Sequence, residues 1–125
     1  MQNTLLVMAG GAIGAACRYQ LGRLMTHAMG PGYPWGTLAA NLLGGLAMGL
    51  LVGVLGRFID GGEAIRLLLA VGVLGGFTTF SSFSLEVMLM LERGQMVQGL
   101  GYVLLSVVGA VGMLALGLWT MRVTA

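Results

Sequence analysis

Four long apolar segments, residues 4–26, 36–57, 65–92 and 97–121, make up most of this 125-residue chain. Each is near or above the roughly 20 residues that carry an α-helix across a bilayer. With 58% of residues hydrophobic, 8% charged and a mean hydropathy of +0.96, the chain has too little polar surface to cover a water-soluble globule. The sequence therefore predicts an all-α integral membrane protein, a single domain over residues 1–125 with four transmembrane helices. The first segment has no basic flank before it and runs on through Arg18 and Tyr19 without a cleavage pattern. It reads as a mature helix and not as a signal peptide.

The few polar residues exclude several classes of function. Six arginines, no lysine and a net charge of +2 form no basic cluster, so nucleic acid is not an expected partner. Cys17 is the only cysteine and has no second thiol for a disulfide or a metal pair. His27 has no His, Cys or carboxylate at ligand spacing and is read as an interfacial polar residue. One His, one Cys and four acids mostly in loops supply no nucleophile, base and orienting group, so the chain is not expected to be an enzyme. Arg57, Arg66 and Arg122 fall on one side of the predicted helices, and Arg23 and Arg93 on the other. That split gives a feeble orientation signal. It is consistent with insertion both ways up and an inverted pair of copies, and equally with a simple scarcity of charges.

The third segment is the least ordinary. As one unbroken helix, residues 65–92 would reach about 42 Å, beyond a hydrocarbon core of about 30 Å. In its middle, Gly75-Gly76-Phe77-Thr78-Thr79-Phe80-Ser81-Ser82-Phe83-Ser84 passes without one aliphatic side chain. Tilt would absorb part of the excess length, and a helix break over Gly75–Thr79 would absorb it too, leaving free carbonyls on one side to attract a cation and free N–H groups on the other to favour an anion. Irregular backbone at membrane depth survives only where it is buried in protein or lines a cavity. Phe77, Phe80 and Phe83 recur every third residue beside Ser81, Ser84 and Glu86. Spacing alone favours core packing for the rings, although their edges are electropositive.

The other segments add smaller features. Gly10, Gly11 and Gly14 with Ala15 and Ala16 form a packing face on the first helix, and Gly45, Gly49 and Gly53 form a stripe on the second that reads as assembly. Arg18, deep in the first segment, is either a snorkelling structural residue or one that faces water. Thr37 and Asn41 share a face four residues apart, with Asn41 either interhelical glue or a donor on a polar track, the latter favoured by Thr37. Tyr102 and Ser106 repeat that spacing on the fourth helix. Residues 27–35 form a turn that no helix should cross, with Tyr33 and Trp35 suited to the headgroup belt. The loop from Gly56 to Glu63 reads as a solvated connector.

Three stretches in order carry a resemblance: Gly10-Gly11-Ala12-Ile13-Gly14-Ala15-Ala16-Cys17-Arg18-Tyr19, Gly36-Thr37-Leu38-Ala39-Ala40-Asn41, and the Gly75–Ser84 run. Together they resemble the Fluc (CrcB) fluoride channel family across three of the four helices. The resemblance implies a passive, fluoride-selective channel exporting fluoride across the cell's inner (plasma) membrane. It implies a multi-pass, dual-topology chain whose two copies pair antiparallel into a homodimer with two pores. It implies roles residue by residue. Asn41 is the pore-lining amide donor, and Phe80 and Phe83 offer ring edges to the fluoride ion. Ser81, Thr37 and Ser106 line the polar route, Glu86 holds a track position beyond the break, and Arg18 adds positive potential at the mouth. Gly75 and Thr78 of each copy give backbone carbonyls to a structural sodium ion at the dimer interface. Ser82 stands where the family commonly has Thr, and Ala110 where some members have Ser. A small proton-coupled multidrug exporter is the nearest rival, but it needs a membrane-embedded acid in the first helix, which has none. Glu86 is the only candidate carboxylate for such a role.

Overall fold

The computed structural model describes residues 1–57 and 62–124, and among these only helices and short connections occur. Part of the Gly56–Glu63 connector, including Asp60 and Gly61, lies outside the described residues. Helix 1 runs Gln2–Met29, helix 2 Trp35–Leu55 and helix 4 Met96–Val123, and the third span covers Glu63–Glu92. Helix 1 extends three residues beyond its expected end because nothing before Gly30 interrupts it. Gly30 then takes φ +85, a left-handed conformation that glycine adopts without a Cβ clash, while its N–H still reaches the Thr26 carbonyl. Helix 2, at about 31 Å, matches a hydrocarbon core.

Three of these elements are long and apolar enough to cross a membrane: helix 2, the third span and helix 4. Helix 1 equals helix 4 in length, at 28 residues. Its Gln2, Asn3, Arg18, Gln20 and Arg23 dilute its apolar character. Outward-facing Leu85, Leu104, Val108, Val111 and Trp119 leave the bundle coated in apolar side chains, a surface suited to lipid or to a partner helix.

Packing is set by two glycine seams. Helix 1 lies along the first half of the third span, and helix 2 along helix 4. In the first seam a Cβ added at Gly10 would come within 2.8 Å of the Gly72 Cα, and one at Gly76 within 2.6 Å of the Gly11 carbonyl oxygen. In the second, a Cβ at Gly45 would lie 2.7 Å from the Ala110 carbonyl oxygen, and one at Gly117 2.6 Å from that of Leu46. The glycine stripe on helix 2, read from the sequence as an assembly face, is therefore occupied inside one chain. Such seams suit a membrane interior, where helices gain little from hydrophobic burial and association rests on close van der Waals contact.

The third span is broken, but at the far end of the Gly75–Thr79 stretch considered from the sequence: Gly75–Phe77 stays helical and the interruption covers Thr78–Phe80. Its first half, helix 3a, opens with an α-helical turn at Glu63–Ile65, continues as π-helix over Arg66–Leu74 and closes with a turn at Gly75–Phe77. Thr78 then adopts an extended conformation with φ −85 and ψ 158. Helix 3b resumes at Ser81 and ends at Glu92. Helix 3b leans on helix 4. Between them Tyr102, fully buried, meets Phe83 with ring centroids 5.2 Å apart and Tyr33 at 5.5 Å. Tyr33 and Trp35, expected at the headgroup belt, also pack against this cluster.

Candidate functional site

A helix interrupted inside an apolar bundle must find new partners for its main-chain groups, because an unpaired one costs a large part of a hydrogen bond in a low-dielectric medium. Side chains from three helices supply them. Thr78 Oγ1 donates to the Leu74 carbonyl at 2.9 Å and closes helix 3a. From helix 2, Asn41 grips Thr79 at both ends. Its Oδ1 accepts the Thr79 N–H at 2.8 Å, and its Nδ2 donates to the Thr79 carbonyl at 3.0 Å. Thr79 Oγ1 in turn accepts the Ser82 N–H at 3.2 Å, one of the donors that the start of helix 3b would leave unpaired. From helix 1, Arg18 Nε donates to the Gly76 carbonyl at 3.2 Å.

These contacts redistribute the helical hydrogen bonds. In a continuous α-helix the Thr79 N–H would bond the Gly75 carbonyl, and the Ser82 N–H the Thr78 carbonyl. Both donors are drawn away, the first by Asn41 and the second by Thr79 Oγ1. The carbonyls of Gly75 and Thr78 are left without those partners, whereas those of Gly76 and Thr79 are bonded by side chains. Among the described residues there is no group of three or more His, Cys, Asp or Glu side chains fit to hold a metal. The orphaned carbonyls are hard oxygen donors of the kind that suit a cation such as sodium.

One cavity is lined by residues of the break, and a second by residues outside it. An open apolar groove of about 380 Å³ runs between helices 2 and 4, and Asn41, Thr78, Thr79, Phe80, Phe83 and Ser106 line it. The two rings have opposite surroundings. Phe80 is 77% exposed and Phe83 only 8%, with centroids 5.7 Å apart. Ser106 is 5% exposed, and its hydroxyl has no hydrogen-bond partner among the described residues. It thus donates neither to its own helix nor to a neighbour. Ala110 extends the groove with an apolar wall. Ser81 is exposed at the start of helix 3b, 3.4 Å from the Thr79 hydroxyl.

A more polar basin of about 660 Å³ is lined by Arg18, Arg23, Thr26, His27, Thr37 and Glu86. The Glu86 carboxylate is fixed from two helices: Thr37 Oγ1 donates to one oxygen at 3.1 Å and the Tyr102 hydroxyl to the other at 3.2 Å. Tyr102 therefore touches Phe83 with its ring and Glu86 with its hydroxyl, which joins the wall of the groove to the floor of the basin.

A family profile described as CrcB-like protein, Camphor Resistance (CrcB), matches residues 5–118. The chain belongs to this family. Its relatives include a protein of Sphingopyxis alaskensis that is 56% identical over 110 residues, covering 88% of this chain and 87% of the relative. One from Phenylobacterium zucineum is 56% identical over 123 residues, covering 98% of this chain and 97% of its own. One from Mesorhizobium japonicum is 48% identical over 122 residues, covering 98% of both. Each carries the name fluoride-specific ion channel FluC.

Of the residues singled out for this CrcB chain, Asn41, Phe80, Phe83, Ser106 and Thr78 meet at the groove, while Arg18, Thr37 and Glu86 meet at the basin. Gly75 lies one turn before the break and Ser81 immediately after it. Thr79 was not singled out, although it makes more contacts at the break than any of them. Its signal is Thr79-Phe80-Ser81-Ser82, a hydroxyl three residues ahead of a helix-start N–H. His27, which the sequence places at the interface, and Arg23 both line the basin.

Proposed function

We propose that this CrcB-family chain is a fluoride-selective passive ion channel, a transporter and not an enzyme. The observation that carries the reading is the groove beside the break, where a buried, unpartnered hydroxyl, an amide and two aromatic rings converge beside Thr78 and Thr79 on otherwise apolar walls. Fluoride is small and tightly hydrated, so a conducting path must replace its water with donors yet release it again. Ser106 Oγ and the remaining Asn41 N–H are such donors, and the edges of Phe80 and Phe83 present weak positive potential without a fixed charge that would trap the ion. Ser81 extends the donor series, Arg18 raises the potential at the mouth, and Thr37 and Tyr102, whose single hydroxyl protons go to Glu86, become donors to a passing anion by turning them away from that carboxylate. A multidrug exporter needs an acid free to exchange protons with a cation, and both oxygens of Glu86 are engaged.

In this reading all four helices cross the cell's inner membrane, helix 1 included. The chain inserts both ways up, in keeping with its weak arginine bias, and two copies pair antiparallel to give two pores. Gly75 and Thr78 of each copy would hold a structural sodium ion at the interface, where it would supply fixed positive charge. Support for that assignment comes from the two carbonyls that lose their helical donors.

The test is fluoride efflux from liposomes that hold the purified chain, followed with a fluoride electrode beside a chloride control, with a potassium ionophore clamping the voltage. Rapid fluoride release with little chloride release is expected. No release from a folded, reconstituted dimer would discard the channel.

A further inference from the structure

We infer that Asn41 and Thr79 are positioning residues for a cation site, acting by diverting two backbone N–H groups that would otherwise occupy its carbonyls. The inference rests on the proposed reading of Gly75 and Thr78 as oxygen donors to a monovalent cation. It concerns different atoms. The default state of a segment in hydrocarbon is a closed helix, because every main-chain group then has a partner within the segment. For the Gly75 carbonyl to face a cation, the Thr79 N–H needs an equally good acceptor elsewhere. Asn41 Oδ1 provides one at 2.8 Å, and Asn41 Nδ2 satisfies the carbonyl of the same residue at 3.0 Å. One side-chain amide thus substitutes for a peptide group of a neighbouring strand. Thr79 repeats the device one turn later, its Oγ1 taking the Ser82 N–H at 3.2 Å and freeing the Thr78 carbonyl.

The two diversions are spaced as their targets are: Gly75 and Thr78 lie three residues apart, and so do Thr79 and Ser82. The two residues whose side-chain oxygens accept the diverted donors also line the groove assigned to fluoride. A single residue, Asn41, therefore serves the anion path with its free N–H and the cation site with its oxygen. The two atoms can be separated by substitution. Asn41→Leu removes both functions, and the Thr79 N–H closes back onto the Gly75 carbonyl. Asn41→Asp keeps an oxygen acceptor for the Thr79 N–H but replaces the amide donor with a charge that repels an anion. Thr79→Val removes the acceptor for the Ser82 N–H together with the 3.4 Å contact to the Ser81 hydroxyl, and Thr79→Ser restores both.

The experiment measures the melting temperature of the purified dimer after exchange into sodium or N-methylglucamine at equal ionic strength, together with fluoride efflux of the same samples. A ligand that binds only the folded state raises stability with its concentration. Wild type and Thr79→Ser should show a sodium-dependent rise, which is lost in Asn41→Leu and Thr79→Val. Asn41→Asp should keep the rise while losing efflux, a split that general damage to the fold would not produce. A full sodium response in Asn41→Leu or in Thr79→Val would overturn the inference. So would the absence of any sodium response in wild-type dimer that passes fluoride, an outcome that leaves the channel reading standing. Sodium responses as expected in a wild-type dimer that passes no fluoride would uphold the positioning role and remove the channel.

Discussion

The glycine seams and the helix break are both made of small and polar residues inside the same apolar bundle, yet they solve opposite problems. In the seams the backbone keeps its own hydrogen bonds and glycine only lets a neighbour come close, as where Gly117 faces the Leu46 carbonyl. At the break the backbone gives up its helical bonds and Asn41, Thr79 and Arg18 take them over. Small residues in a membrane helix thus mark packing when the main chain beside them is paired. They mark a site when side chains have drawn its partners away.

The sharpest way to break this contrast is in the seams. A methyl at Gly117 would lie 2.6 Å from the Leu46 carbonyl and 2.7 Å from the Leu50 N, both backbone atoms that cannot swing aside. Gly117→Ala is expected to destabilise the bundle by about 1–3 kcal/mol or more, and Gly117→Val to leave no folded protein, as read by gel filtration and thermal melting in detergent. A stable, well-folded Gly117→Val would show that the seam is not fixed by backbone contact.

At the break the expected loss is one of flux with the fold kept. In the proposed channel Asn41→Asp places a like charge on the anion path and breaks the bond to the Thr79 carbonyl, so fluoride efflux should fall by about tenfold or more, equal to at least ~1.4 kcal/mol on the barrier. Wild-type efflux from a folded Asn41→Asp dimer would remove Asn41 from the path. Phe80→Ile keeps bulk and removes the ring edge. Because Phe80 is 77% exposed and little of it packs within the chain, a severalfold loss of flux with unchanged stability is expected. Unchanged flux would return the ring to a packing role. The smallest effect is assigned to Gly112, where an added Cβ meets nothing within 4 Å. Gly112→Ala should change the stability of the detergent-solubilised protein by no more than about 0.5 kcal/mol. A larger loss there would point to contacts outside the single chain.

The sequence is informative about these regions to different depths. The apolar segments and the glycine spacing foretell the helices and the close seams because both depend on local composition. They do not tell which helix fills a stripe, and so the Gly45–Gly53 face, read as assembly, turned out to pack on helix 4. The break could be anticipated from ten residues without an aliphatic side chain. Its position at Thr78–Phe80 depends on Asn41, thirty-eight residues earlier in the chain, and no local pattern encodes that pairing. The same holds for Glu86, which reads as a lone acid near a helix end until Thr37 and Tyr102 are folded against it. The π-helical stretch Arg66–Leu74 has no counterpart in the apolar run that forms it. Helix 1 is read from the sequence as a span on length, and its polar residues leave it less apolar than the other three.

The most direct test of the account is the reversal potential of the reconstituted chain in a planar bilayer under a fluoride gradient, with chloride present at equal concentration on both sides. A passive fluoride pore through the broken helix predicts a current that reverses at the fluoride equilibrium potential and does not move when a pH gradient is imposed. A current that reverses at zero voltage, or one that follows the pH gradient, would contradict it.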